Sequence, residues 1–401
     1  MISKTKLSRY ADVMIWGLMT SRGKKLKKGD IIRVTGGVAG LPLMEEIHTK
    51  LMEKGFNVVV VVGDTPRIET DHYRLADDDQ LTWLPPWSKH ICKNIHGHIY
   101  VHAPDSLTHL KDVNPKKIAK ALKATRPLRD IMEKREEKGD FGWTLCAYPT
   151  QEQADQAGLT LRQYANQIEK ACWLHEKDPV AHWKVFYKSF QKIKKRLDRL
   201  NVDYYHIESK NTDLKVWPGE NRQWVGGRGA NIPSFELFIS PDCRKTEGVY
   251  YADQWTFQSG NRVSGIRLEF KKGKVVKATA DVGERFLKEQ LKTDLGASMV
   301  GEFSLTDKRF SKINKFMANT LFDENFGGKN GNMHLAVGDS YSDTYSGDVS
   351  KLTKSMKKKL GFNYSSIHWD IVNTEKKKVT AYLKSGKKKV IYEDGKFTYK
   401  L

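Results

Sequence analysis

Cysteine is scarce and badly placed for a scaffold. The 401 residues hold four, Cys92, Cys146, Cys172 and Cys243, and no two form a C-x-x-C pair. That spacing indicates neither a disulfide framework nor a zinc knuckle, and a reducing compartment is the simpler expectation. Long apolar runs are also missing. The longest, Val58 to Val62, falls far short of the roughly 20 residues that cross a bilayer. The opening MISKTKLSRYADVMIWGLM is basic and then apolar, but Asp12 interrupts it and no clear small-residue cleavage site follows, so an amphipathic helix is expected rather than a leader. H-E-x-x-H is absent: His175-Glu176 runs into Asp178-Pro179 with no second histidine in place. Gly36, Gly37 and Gly40 fit neither the dinucleotide nor the P-loop pattern and read as a tight turn. Acid is in deficit, 48 residues against 69 basic ones, a net charge of +21. A basic chain can bind nucleic acid or an anionic surface. However, Lys357-Lys358-Lys359, Lys376-Lys377-Lys378 and Lys387-Lys388-Lys389 lack the interleaved aromatics of a nucleic-acid module, and solvated edges and turns are expected there. The protein is expected to be cytoplasmic, with no membrane partner.

Enough apolar matter remains to build cores, at 39% hydrophobic and 10% aromatic. The length predicts two domains. Alternating strand and helix signals over the first half include Ile31 to Val34, a helix from Met44 to Glu53, and Val58 to Val62 as a buried parallel strand. Residues 98–104 and 142–150 read as further strands, 115–138 as a charged helix, and 151–174 and 179–200 as two more helices, the second carrying Trp183, Phe186, Phe190 and Ile193 as core. Beyond about residue 200 come short alternating strands and one helix over 281–293. The expected class is α/β: an N-terminal open α/β domain over 1–190, then a mixed α+β, strand-rich domain over 191–401.

That second half places ionisable groups where strands want apolar ones. Glu236 lies in NIPSFELF, Glu302 in VGEFSL and His334 in MHLAVG. A buried carboxylate without a partner is costly, so a cation, a metal or a raised pKa is required. In a strand from Ser365 to Val372, His368 and Asp370 point the same way and can converge on one ion. Carboxylates and imidazoles suit zinc, manganese or cobalt. Alone, each fragment is equally a surface pair or a hydrogen-bonded core histidine.

Taken together, NIPSFELF, GEFSL, NTLFDEN, HLAVGDSY and SIHWD, with CAYPT and DPVAHW upstream, resemble the aminopeptidase T-type, or thermophilic aminopeptidase, family of metallopeptidases over essentially the whole chain. The resemblance implies a cytoplasmic homodimer that removes N-terminal residues from peptides with broad specificity. It implies two divalent ions held by Glu236, Glu302, Glu324, His334, His368 and Asp370, with Glu302 bridging and Tyr341 beside them. It further implies hydrolysis by metal-activated water, with Tyr341 donating to the oxyanion and Glu302 or Glu324 carrying the proton. Two departures stand out: a long Phe326 to Met333 segment between Glu324 and His334, which bears on whether Glu324 stays in place, and Ser234-Phe235 where more acidic residues are usual. The rival to an enzyme is a degenerate relative that binds polyanions through its basic surface.

Overall fold

The computed structural model describes residues 2–399. The first half forms an open sheet in the order Asn57–Val62, Ile31–Gly36, Gly97–His102, Gly142–Ala147 and Asn231–Ile232, all parallel. Its last strand comes from beyond residue 200, and the helix Pro179–Asp198 runs across residue 190. One expectation changes here. Asn57–Val62 is a parallel strand, but it is the edge of the sheet, and Val59, Val60, Val61 and Val62 are exposed. Composition alone cannot separate a central strand from an edge that no helix covers.

The N-terminal helix Lys4–Ser21 buries Tyr10, Met14 and Leu18 on one face, the 3.6-residue period seen in the sequence. Gly17 lets it come very close to a later loop: a Cβ there would sit 2.8 Å from the Gly229 carbonyl oxygen. The aromatic face of Pro179–Asp198 is core, as expected. Trp183 and Phe186 pack with Trp173 and Phe235, and Phe190 packs against Phe186; Phe235 adjoins Glu236 in the sequence. Residues 151–174 are not one helix. Gln151–Gln156 stops at Gly158, which takes a left-handed φ of 66°, and Leu161–Ala171 restarts on a capping box of Thr160 and Gln163. The 281–293 helix shortens to Glu284–Gln290, because Val282 pairs with Ser264 and Gly283 is left-handed.

The second half stacks two antiparallel sheets. The larger runs from Lys274–Thr279 at one edge through Glu247–Ala252, Val202–Ser209 and Lys377–Leu383 to Lys396–Phe397 at the other. The smaller has four strands, in the order His368–Asn373, Asn332–Gly338, Val300–Thr306 and Glu236–Ile239. Tyr205 of the large sheet meets Phe303 of the small one with ring centroids 5.8 Å apart, and the Tyr250 hydroxyl donates to the Ile371 carbonyl at 2.6 Å. The basic runs lie largely on the outside, with one correction: Lys377 is 2% exposed, and its ammonium has no hydrogen-bond partner. Strand alternation turns it inward between two solvated neighbours. Among the described residues, no helix is long and apolar enough to cross a membrane.

Candidate metal centre

Every residue of Val300–Thr306 and Asn332–Gly338 is buried. Burial does not alternate along these strands, but chemistry does. Antiparallel partners share a face. Glu302 opposes Ala336, which opposes Asp370; Ser304 opposes His334; Thr306 opposes Glu236; and Gly338 opposes His368. One face therefore collects Glu236, Glu302, His334, His368 and Asp370 from all four strands. The other carries Leu237, Phe303, Leu335, Val337 and Ile371. A bulge at Gly301 sets this register, and a Cβ there would meet the Asp339 carbonyl oxygen at 2.1 Å. The last of these strands begins at His368 rather than Ser365, without changing the face shared by His368 and Asp370.

Glu236, Glu302 and His334 are 4%, 3% and 1% exposed, and one donor atom from each lies within 4.8 Å of the others. His334 Nε2 is 3.0 Å from Glu302, 3.4 Å from Glu236 and 3.6 Å from Asp370. His368 Nε2 is 3.2 Å from Asp370 and 3.8 Å from Glu302. Glu324 follows the short helix Thr320–Asp323 and lines the same cleft, with Oε1 accepting from the Asn231 and Asn325 side-chain amides at 3.1 and 3.3 Å. With the long segment after it in place, Glu324 still lines the cleft. Thr306 Oγ1 and Asn332 Nδ2 both donate to the Glu324 carbonyl, fixing the backbone at that point. The Tyr341 ring lies edge-on to His368, centroids 4.8 Å apart. Ser234 lines the cleft, while Phe235 belongs to the aromatic core.

The electrostatics are those of acids crowded out of water. Burial first, then Glu302 and Asp370, lift Glu236 to about 7 against the pull of His334. Burial pushes Glu324 well above the carboxylate range, with Glu236 and Asp370 adding to it. Burial opposes the positive form of both histidines, yet neighbouring carboxylates overcome it. His334 is raised well above its ordinary value and His368 to about 9. Asp370 Oδ1 is buried with no hydrogen-bond partner, though His368 Nε2 is in contact with it. Three buried carboxylates and the partly buried Asp370, facing two imidazoles, fit a divalent cation, which would replace shared protons and give that orphaned oxygen a partner.

Several contributors escaped the sequence reading. The Asp339 carbonyl oxygen lies 2.9 Å from His368 Nδ1, leaving Nε2 toward the cluster, an outer-shell contact of the kind that orients ligating imidazoles. The Asp339 carboxylate accepts from Arg126 of the long helix Pro115–Glu137 at 2.6 Å, and Arg126 also donates to the Ser365 carbonyl at 2.5 Å. Ser304 Oγ donates to Glu236 at 2.8 Å. Arg228, from the run Gly226-Gly227-Arg228-Gly229, pairs with Asp343 at the cleft wall. That lone arginine among glycines is the one signal the sequence offered for any of these groups.

The model of the thermophilic metalloprotease (M29) family matches residues 3–397. The chain belongs to that family. Aminopeptidase PepS of Streptococcus thermophilus is 24% identical over 417 residues, covering 98% of both chains. Aminopeptidase T of Thermus thermophilus is 26% identical over 396 residues, covering 93% of this chain and 92% of its own. The solved structure of wild-type AmpT from Thermus thermophilus superposes with a TM-score of 0.80 at 23% identity, over 99% of this chain and all of that one. The fold expectation is met, and this thermophilic metalloprotease family member is a metal-dependent aminopeptidase that takes a divalent cation.

Proposed function

We propose that the enzyme releases N-terminal residues from peptides with broad side-chain preference. In this reading Glu236, Glu302, Glu324, His334, His368 and Asp370 would hold two divalent cations. The observation that carries it is the convergence of Glu236, Glu302 and His334 from three adjacent strands onto one buried point. The donors suit Zn²⁺, Co²⁺ or Mn²⁺. Such a cation makes water more acidic and draws electron density from a peptide carbonyl.

The chain's own groups do the rest. Burial, then Glu302 and Asp370, raise the Tyr341 phenol well above its ordinary value, so it keeps its proton and donates to the oxygen that gains charge when the carbonyl is attacked. Glu324 sits at the edge of the cluster, where a bound cation would keep it ionised and able to accept the proton of the attacking water and return it to the leaving amine. Glu302 is the alternative carrier. The surplus of buried acid favours the substrate's ammonium terminus. Four free, buried cysteines are consistent with a cytoplasmic setting. The homodimer implied by the resemblance completes the proposal.

The deciding assay is hydrolysis of aminoacyl-nitroanilides by chelator-stripped protein, before and after adding Zn²⁺, Co²⁺ or Mn²⁺. Restored cleavage that is lost in Glu302→Gln supports the reading. No turnover with any metal in folded protein would overturn it. Metal content per chain tests the count of two, and sedimentation tests the dimer.

A further inference from the structure

The cleft over the carboxylate cluster is small, about 70 Å³, and is walled by the 226–231 backbone, Ser234 and Phe238. Beside it lies a chamber of about 660 Å³, within the size range of pockets that enclose small ligands. The two spaces share a wall made of Trp143, Arg228, Tyr341, Asp343 and Glu136. Secondary structure sets the character of the chamber. Leu128 and Met132 stand one turn apart on Pro115–Glu137 and face into it. Trp143 and Leu145 alternate on Gly142–Ala147 and line it from the sheet, with Phe141 below. Most of its charged groups have ion-pair partners: Glu133 with Arg129 and with Arg126 behind it, Glu137 with Lys357 outside the chamber, and Arg228 with Asp343. The rest of the lining is mostly apolar, with His98, Tyr100 and a few hydroxyls set among it.

From this we infer that the chamber binds the residue following the scissile bond, and that the enzyme selects peptides with a large apolar or aromatic second residue. The inference rests on the aminopeptidase reading above. Tyr341, the group placed at the reacting carbonyl, borders both spaces, so that carbonyl sits at their junction. The N-terminal residue then occupies the small cleft and the chain continues into the chamber. Met132, flexible and polarisable, lets that space accept side chains of different shape.

The test compares kcat/KM of the metal-loaded enzyme on leucinamide, leucyl-phenylalanine, leucyl-leucine, leucyl-aspartate and leucyl-lysine. The expected result is a preference of tenfold or more for phenylalanine or leucine over aspartate, carried mainly by KM. In Met132→Lys the phenylalanine-to-aspartate ratio falls at least tenfold, whereas Met132→Leu keeps it. Leu128→Asn is the second probe, and melting curves confirm that each variant folds. If leucinamide and all dipeptides are cleaved without second-residue preference, or if both chamber variants leave the ratio unchanged, the chamber assignment falls and the aminopeptidase reading stands. If nothing is cleaved, both fall.

Discussion

In the two central strands of the four-stranded sheet the faces are equally dry and chemically opposite. Phe303 and Leu335 are as buried as Glu302 and His334, yet one set packs against the large sheet and the other gathers charge around a point. Burial therefore does not mark the core here. Packed apolar groups stabilise the fold, whereas buried acids weaken it until a cation arrives, the usual tension between a stable chain and a working site.

Substitutions at adjacent positions of one strand sharpen that contrast. Glu302→Gln is expected to lower kcat/KM by about a thousandfold or more, of order 4 kcal/mol. At the same time the metal-free protein should melt higher than wild type, since one of four crowded carboxylates is gone; a lower melting temperature would mean the cluster is held by something other than an awaited cation. Phe303→Ala, on the reverse face, should cost roughly 3–5 kcal/mol of stability in denaturant titration, with metal stoichiometry unchanged. Loss of metal in that variant would show that the faces are not independent.

Arg126→Met removes the shorter of the two guanidinium contacts to the Asp339 carboxylate behind His368, leaving Arg129 at 3.3 Å and the Ser365 amide at 3.0 Å. It is expected to destabilise by about 1.5–3 kcal/mol and to weaken metal binding in calorimetric titration, although Arg126 lies outside the cluster. The last contrast concerns Lys377, where the substitution is expected to stabilise. Burial, against the pull of Asp253 and Glu375, lowers its ammonium to about 7. The unfolded lysine holds its proton to about pH 10.4. The unfolded state thus binds more protons between pH 7 and that value, and this residue makes stability rise with pH across the window. Lys377→Met should raise the melting temperature at pH 7, and the gain should shrink toward pH 10. A gain that does not vary with pH would mean Lys377 is neutral or hydrated throughout.

The site was legible in the sequence because its donors sit in strands whose alternation is visible: Glu302 and Ser304, His334 and Ala336, His368 and Asp370. Period-two spacing predicts which residues share a face before any pairing is known. The order of strands is not encoded locally, so neither the convergence nor the inclusion of Glu324 followed from spacing; both came as what the family resemblance implies. What stayed hidden depends on distant partners. The valines of Asn57–Val62 read as interior because no local signal reports that nothing covers them. Lys377 read as solvated because its neighbours are. Arg126 read as one more charge on a charged helix, and only the fold brings Asp339 to it.

Gly17 and Gly229 touch through their backbones, the former in the first helix and the latter in the wall of the cleft. During synthesis that helix leaves the ribosome long before the residues it must brace. The catalytic wall can take its final shape only after most of the polypeptide has emerged and folded back onto its beginning, so a nascent or C-terminally clipped chain should be inert toward peptides, including its own neighbours on the polysome.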